Sequence, residues 1–538
     1  MIRQRKFQQR IRSLVHLSIS GLILIAGILL LNSCLLYLKN TRPRNPGYRP
    51  DLSVSAAAPG PFRAGFAAVP ITPYLPDTWF DNDGNARFEP KNGDTYTDGN
   101  GNGRFDPLYL AGFHHNRPAA GVHDDLWARA IVIDDGNTTV GLVVLDSIGI
   151  FHGEVMKIRQ AVKQAGLGYD HIIITATHNH EAPDLMGLWG GDYFTTGVNQ
   201  EYLAFVRDRT VTALKEALDN AEPAVPSAAK IPLPGKDLVR DSRKPEVIDG
   251  DLYLLSFHNA ESGDLIGTMI NHGNHPETLG SKNLLITADF CHYLISGIED
   301  GIVYNGVTQE EGIGGTAVFV NRAIGGLMTG LGTEMSDPWT GELYKENSFE
   351  KARTHGYRLA AAVNRHYRTG NWEIIPEPSI RLEVMTVEFP VDNIIFHLAG
   401  GLGIIDRGFI KLARLKSEVN LMTLGPAWFL TVPGEINPEL LIGGIEVPAG
   451  ADFPDAEPEL PPITDMMRGK YNFVLGLAND EIGYIMPKTH WDRKPPYTYG
   501  RGSAPYGEIV SLGPDTAPIF HRAVEDLIRR LTAEESAF

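Results

Sequence analysis

Cysteine is almost absent from this sequence. Only Cys34 and Cys291 occur among 538 residues, and Cys34 lies in an apolar N-terminal segment. This excludes a disulfide framework, so the fold depends on a hydrophobic core. Hydrophobic residues make up 43% of the chain, which is enough for one large catalytic domain or two smaller ones.

Positive charge is also scarce. The chain has 65 acidic and 48 basic residues, which gives a formal net charge of -17. Binding to a nucleic-acid backbone requires a basic face, so nucleic acid is not expected as a partner.

Basic residues are nevertheless grouped at the N-terminus, ahead of an apolar run over residues 14–38. The run is long enough to span a bilayer, and the charges before it predict export of the rest of the chain. Residues 1–38 are therefore predicted to be a signal anchor or a lipoprotein signal, because residues 31–34 (LNSC) resemble a cleavage box that would leave Cys34 lipidated. Either alternative tethers the protein to a membrane, on its periplasmic or extracellular face. Residues 39–61 are predicted to form a flexible stalk.

A short acidic repeat follows, at residues 81–90 and again at residues 98–107. Oxygen ligands at alternate positions and glycines that permit tight turns are typical of calcium loops. Neither copy has the glutamate of a complete EF-hand loop, so an Asx-rich loop without an ion remains an alternative. The candidate calcium ligands are Asp81, Asp83, Asn85, Asp98, Asn100, Asn102 and Asp106.

Beyond this insert the chain alternates strand and helix patterns. Two apolar strands flank the turn at residues 134–137, an amphipathic helix follows over residues 155–165, and an apolar strand then ends near His178. This order predicts a hairpin followed by a crossover unit. We expect one α/β domain over residues 62–538, with a large mixed sheet flanked by helices and no C-terminal β-sandwich.

The segment at residues 172–181 carries the strongest functional signal. His178 and His180 are two residues apart at the end of a buried strand, so their side chains point the same way. Imidazole suits zinc, although such a pair can also simply hydrogen-bond locally.

Several motifs, taken in order, resemble the neutral (non-lysosomal) ceramidase family, which are zinc amidases. They are AGFAAVPITP at residues 64–73, GVHDDLWARA at 121–130, THNH at 177–180, VPGE at 432–435 and GLANDEIGY at 476–484. The resemblance implies hydrolysis of the N-acyl bond of a ceramide-type, lipid-like substrate. The zinc ligands it implies are His123, His180, Glu435 and Tyr484, with His178 in the same pocket.

The family also suggests catalytic roles around this ion. Tyr484 and His178 or His275 would steady the oxyanion, although His275 has an alternative role as a structural cap of the turn before Pro276. The sequence departs from the family at residues 322–326, where Arg322 replaces an essential serine. Attack by metal-activated water survives this loss, and Arg322 would then bind an anionic group or face solvent. A hydrolase of esters or phosphoesters and a non-catalytic protein that binds calcium and zinc remain alternatives.

Overall fold

The structure is a computed structural model that describes residues 26–28, 30–44, 47–55, 60–411 and 413–535. After an N-terminal helix at residues 30–40, eight further α-helices are described. They are α1 (His152–Gln164), α2 (Gln200–Asp219), α3 (Phe290–Glu299), α4 (Phe349–Thr369), α5 (Ile394–Leu402), α6 (Pro438–Ile442), α7 (Ile463–Met466) and α8 (Thr516–Glu535).

The strands range from two to eleven residues. They are β1 (Leu52–Ser55), β2 (Arg63–Pro70), β3 (Asp77–Phe80), β4 (Thr95–Asp98), β5 (Gly121–Val122), β6 (Trp127–Asp134), β7 (Thr139–Leu145), β8 (His171–Ala176), β9 (Glu222–Ile231), β10 (Arg240–Asp241), β11 (Leu252–Asn259), β12 (Leu265–His272), β13 (Leu285–Ile286), β14 (Gly301–Tyr304), β15 (Val307–Glu311), β16 (Thr316–Asn321), β17 (Met328–Thr329), β18 (Met335–Ser336), β19 (Leu343–Tyr344), β20 (Glu373–Ile374), β21 (Ile380–Pro390), β22 (Arg414–Leu424), β23 (Ala427–Thr431), β24 (Glu435–Ile436), β25 (Tyr471–Leu475) and β26 (Tyr484–Ile485).

A mixed sheet of nine strands forms the centre of the molecule. Its order is β16-β12-β11-β9-β2-β6-β7-β8, and β20 pairs with β9. The predicted hairpin joins β6 to β7, where Asp135 accepts hydrogen bonds from the backbone N–H groups of Asn137 and Thr138. Helix α1 then crosses over to β8, which pairs parallel with β7. The predicted α/β fold with a large mixed sheet is confirmed.

A second sheet packs on one face of the first. It has five strands in the order β1-β21-β22-β23-β25. An apolar cluster that includes Phe257, Leu382 and Phe429 joins the two sheets, while helices cover their outer faces. β8 shows the consequence, because Ile173 belongs to the cluster between the sheets whereas Ile172 and Ile174 belong to the helix side. β8 is the last strand of its sheet, but both of its faces are covered, so it is buried throughout and reads as a continuous apolar run.

The predicted stalk differs from the structure over its described part. β1 pairs antiparallel with β21, and Leu52 and Val54 pack against the cluster between the sheets. Leucine and valine alternate here with serines (LSVS), which is the period of an edge strand. The surrounding proline- and arginine-rich composition obscures this short strand in the sequence.

Much of the predicted membrane segment, residues 1–25 and residue 29, lies outside the described residues. Within the part of the chain that the structure describes, no helix is both long and apolar enough to cross a bilayer.

Candidate metal centre

The candidate site lies where strands of both sheets end. β8 of the larger sheet leads into His178 and His180, and β12 leads into His275. From the second sheet, β23 leads into Glu435, and the chain after β25 leads into Tyr484. Strand ends place side chains with precision because the sheets behind them are rigid.

Three buried histidines meet at this edge. One ring nitrogen from each of His178, His180 and His275 lies within 4.8 Å of the others. The ring centroids are 4.8 Å apart for His178 and His275, and 5.0 Å apart for His178 and His180. The backbone N–H of His180 donates to the carbonyl of Pro276 at 3.0 Å, which joins the loop after β8 to the loop after β12.

The orientation of two of these rings is set by main-chain carbonyls. Nδ1 of His178 lies 2.7 Å from the carbonyl oxygen of Ile148, and Nδ1 of His275 lies 2.8 Å from that of Met328. A carbonyl only accepts hydrogen bonds, so each Nδ1 carries a proton and each Nε2 is left to face the cluster. His178 reaches this position through a left-handed backbone, with a φ of 63°.

Glu435 lies between these two rings. Its Oε2 is 3.2 Å from Nε2 of His275 and 3.5 Å from Nε2 of His178. Tyr484 is its direct neighbour, because Glu435 and Tyr484 are paired residues in the short parallel ladder of β24 and β26. The short ladder therefore sets a carboxylate and a phenol side by side.

Burial and mutual charge set the protonation of the cluster. Burial lowers the pKa of His178 to about 4 and that of His180 well below its usual value. Burial also acts to lower the pKa of His275, but the carboxylates of Glu435 and Glu277 outweigh it and raise the pKa. For Glu435, burial opposes ionisation, yet His178 and His275 hold its pKa below the ordinary value.

The arrangement fits a metal ion. Neither ring nitrogen of the buried His180 has a hydrogen-bond partner, and buried polar atoms seldom remain unpartnered. His178 and His275 both aim Nε2 at one carboxylate, so a proton or a cation must lie between them. Three imidazole nitrogens and a carboxylate oxygen form a donor set suited to a transition metal such as zinc.

An apolar cavity opens beside the cluster. Its volume is about 370 Å³, and its lining includes His178, His180, Glu435 and Tyr484. The remaining lining is largely aliphatic and aromatic, with residues such as Phe113, Met186, Leu188, Trp189 and Phe396.

Two carboxyl groups of the cavity lining were not predicted from the sequence. Glu277 Oε2 lies 3.4 Å from Nδ1 of His180. Glu481 accepts the backbone N–H of Gly483 through Oε1, and its Oε2 has no partner. Burial raises the pKa of both carboxyls. Their positions in the sequence could have identified them, because Glu277 lies two residues after His275 and Glu481 lies three residues before Tyr484.

The structure does not bring His123 to the cluster. The ring of His123 stacks on Phe349 with centroids 3.9 Å apart, and its Nδ1 lies 2.8 Å from Oδ2 of Asp124. Its side chain is 34% exposed, so this predicted ligand lies apart from the buried group. The contacts with Asp124 and Phe349 account for the position of this ring.

Arg322 also lies away from the cavity lining, and it does not face solvent. Its side chain is fully buried, with Nε 2.5 Å from Asp249 and the guanidinium carbon 4.2 Å from the ring centroid of Tyr253. A further hydrogen bond runs to the carbonyl of Asn472. These internal partners hold Nε and Nη1 of the group that the sequence offered to an anionic substrate, and Nη2 is buried without a hydrogen-bond partner.

The acidic insert has carboxylates that are already hydrogen-bonded. Asp81 accepts the backbone N–H groups of Gly84 and Ala86, and Asp98 accepts those of Gly101 and Gly103. In the second copy, Asn100 and Asn102 donate to Asp106. Oxygen atoms of Asp81, Asp83 and Asp94 do lie within 4.8 Å of one another. Asn85, another predicted ligand, instead donates to Asp83 and Glu89.

Comparison with solved structures identifies the fold. A neutral ceramidase from Pseudomonas aeruginosa superimposes with a TM-score of 0.62 at 16% identity, over 88% of this chain and 75% of the other. A ceramidase complexed with C2 gives a TM-score of 0.60 at 15% identity, over 88% and 76% of the two chains. The chain has the neutral ceramidase fold. No protein-family model and no curated protein matches the sequence significantly.

Proposed function

We propose that this protein is a zinc-dependent hydrolase that cleaves the N-acyl amide bond of a lipid-like, ceramide-type substrate. The observation that carries the proposal is the convergence of His178, His180, His275 and Glu435 beside one apolar cavity. The likeness of the fold to neutral ceramidases supports the same substrate class.

The three histidines and Glu435 are the proposed zinc ligands. One ring nitrogen of each histidine already lies within 4.8 Å of the others, and Nε2 of His178 and His275 faces the carboxylate of Glu435, so little rearrangement is needed to bind an ion. When bound, zinc would polarise the scissile carbonyl and lower the pKa of a water molecule.

Tyr484 is the proposed donor to the oxyanion that forms on the carbonyl oxygen. Burial and the negative charge of Glu435 raise the pKa of Tyr484 well above its usual value, so the phenol keeps its proton. A protonated hydroxyl held beside the ligand set is placed to donate to the negative charge that develops on the carbonyl oxygen.

The departing amine requires a proton, for which Glu277 and Glu481 are the proposed sources. Both carboxyls line the cavity, and burial raises the pKa of each, which favours a carboxyl that holds a proton over a carboxylate. Glu481 has the freer geometry, because its Oε2 has no other partner.

Water, rather than a side-chain hydroxyl, is the proposed nucleophile. Among the described residues that line the cavity there is no serine, threonine, cysteine or lysine. Arg322, at the position of the family serine, is buried in an ion pair with Asp249. This supports hydrolysis without an acyl-enzyme.

The test combines metal analysis with a substrate panel. Purified protein should contain about one zinc per chain, and a fluorogenic N-acyl sphingoid amide should be hydrolysed in preference to matched ester and phosphoester analogues. Chelation should abolish turnover, and added zinc should restore it. Preferred turnover of the ester or phosphoester would reassign the bond, and zinc-replete protein inactive on the whole panel would favour a non-catalytic role. A covalent acyl-enzyme trapped by rapid quench would refute attack by water.

A further inference from the structure

Helix α5 is apolar on both of its faces. It carries no charged side chain in its sequence IIFHLAGGL. Ile395, Phe396 and Ala399 line the cavity. On the outer side, Ile394, Leu398 and Leu402 are 60%, 57% and 52% exposed, and their spacing of four residues sets them in one row.

A helix that is apolar all round is normally covered on every side. One exposed leucine needs no explanation, but a row along a helix indicates a surface that contacts another apolar phase. The loop between β8 and α2 adjoins this helix, because Met186, at its base, packs in the same cluster as Ala399. At its tip Tyr193 and Phe194 are 74% and 75% exposed.

The N-terminal helix at residues 30–40 is attached to this same helix. The hydroxyl of Tyr37 lies 3.0 Å from Nδ1 of His397, and Asn40 donates to the carbonyl of Gly401 at 2.9 Å. The contact needs a glycine, because a Cβ on Gly401 would come within 2.5 Å of the Tyr37 ring. The exposed apolar residues of this helix are Leu30, Leu31, Leu35, Leu36 and Leu38.

The contact between the N-terminal helix and α5 indicates that the apolar phase is a lipid bilayer. Tyr37 follows Cys34 by three residues, which is about 4.5 Å of helix. A lipid on Cys34 and an apolar run embedded in a bilayer would therefore both bring α5 to the membrane surface. Lys39 and Arg42, which follow, are exposed, as expected of cations at the level of lipid headgroups.

We propose that α5, the loop tip at Tyr193 and Phe194, and the N-terminal helix form one face that docks on a lipid bilayer, here called the docking face. Since α5 is also a wall of the cavity, a lipid would pass from the bilayer into the cavity beside this helix. The inference rests on the proposed lipid-like substrate and on the predicted N-terminal anchor.

Photo-crosslinking tests the docking face without reference to activity. The full-length chain is incorporated into phosphatidylcholine vesicles that contain a diazirine-bearing phospholipid, irradiated, and mapped by mass spectrometry. Adducts are expected in residues 193–194 and 394–402 as well as in the N-terminal run. Adducts confined to the N-terminal run would overturn the docking face, even if the hydrolase assignment stands.

A pair of variants tests delivery of the substrate. Leu398→Glu combined with Leu402→Glu alters only the outer row, and turnover of substrate embedded in vesicles should fall at least about tenfold. Turnover of a soluble short-chain amide should not change, which also shows that the variant folds. Ile374→Glu is the matched control, since Ile374 is 61% exposed on β20, and both activities should persist. An equal loss on both substrates, or no loss on vesicles, would contradict delivery through this face.

Discussion

The histidine cluster and the acidic insert are both rich in metal-binding side chains, yet they differ in what those side chains already contact. In the insert, Asp81 and Asp98 accept backbone N–H groups of their own loops. In the cluster, the ring nitrogens of His180 have no hydrogen-bond partner and the rings are buried. The comparison teaches that buried ring nitrogens that lack hydrogen-bond partners and converge on one point, more than the number of acidic side chains, indicate a metal site.

The largest effect is expected from removing a ligand of the cluster. His180→Ala should weaken zinc binding at least about a hundredfold and abolish most turnover, since an incomplete ligand set cannot hold the ion. His123→Ala is the matched control and should keep its zinc, because His123 contacts Phe349 and Asp124 instead. Zinc competition titrations measure both, and loss of zinc from the control as well as from His180→Ala would restore the ligand set implied by the sequence.

Substitution of Arg322 tests whether its buried charge stabilises the fold or binds an anionic substrate. Arg322→Ala should destabilise the protein by about 3–5 kcal/mol, because Asp249 is left buried without its partner. Zinc content should not change. In chemical denaturation, the double variant Arg322→Met, Asp249→Leu should recover part of the loss. A stable Arg322→Ala protein that fails only to bind substrate would return Arg322 to the anion-binding role.

Zinc binding at the histidine cluster should depend on pH. Against the effect of burial, the carboxylates of Glu435 and Glu277 raise the pKa of His275, so a proton competes with the metal ion for Nε2 of this ring. Zinc affinity should therefore rise with pH, by up to about tenfold per pH unit below that pKa. Calorimetry in buffers of different ionisation enthalpy should show the released proton. Zinc affinity that is flat between pH 5.5 and 7.5 would contradict this coupling.

Calcium is expected to have the smallest effect. If the insert binds calcium, Asp81, Asp83 and Asp94 are the proposed ligands, and an ion must compete with their existing hydrogen bonds. Saturating calcium should therefore raise the melting temperature by only about 2 °C, which corresponds to weak binding. Asp83→Asn should remove the shift without affecting zinc. Equal melting temperatures in calcium and in chelator would show that the insert does not bind calcium and is an Asx-rich loop.

Local patterns predicted most of the fold. The hairpin of β6 and β7 and the crossover through α1 to β8 follow from apolar periodicity and turn residues. The stacking of two sheets did not follow, because alternation along a strand does not reveal which sheet the strand joins. The short strand β1 was missed because four residues within a proline-rich segment carry little signal.

The site was predicted in part, for a related reason. His178 and His180 were found because they stand two residues apart at the end of a buried strand, and Glu435 and Tyr484 were implied by the family resemblance. His123 was included through family resemblance, but Asp124 and Phe349 hold it elsewhere. Which side chains share a cavity depends on contacts between residues far apart in sequence, and neither spacing nor composition records them.

The backbone of His178 has a consequence for engineering this protein. With φ at 63°, the residue occupies a conformation that costs a side chain with a Cβ roughly 1 kcal/mol and that glycine adopts freely. A stabilised variant chosen on backbone strain alone would therefore carry glycine at position 178 and would lose an imidazole of the cluster. The buried ring also fills space and donates to the carbonyl of Ile148, so its packing offsets the strain and a screen for more stable variants must hold this position fixed.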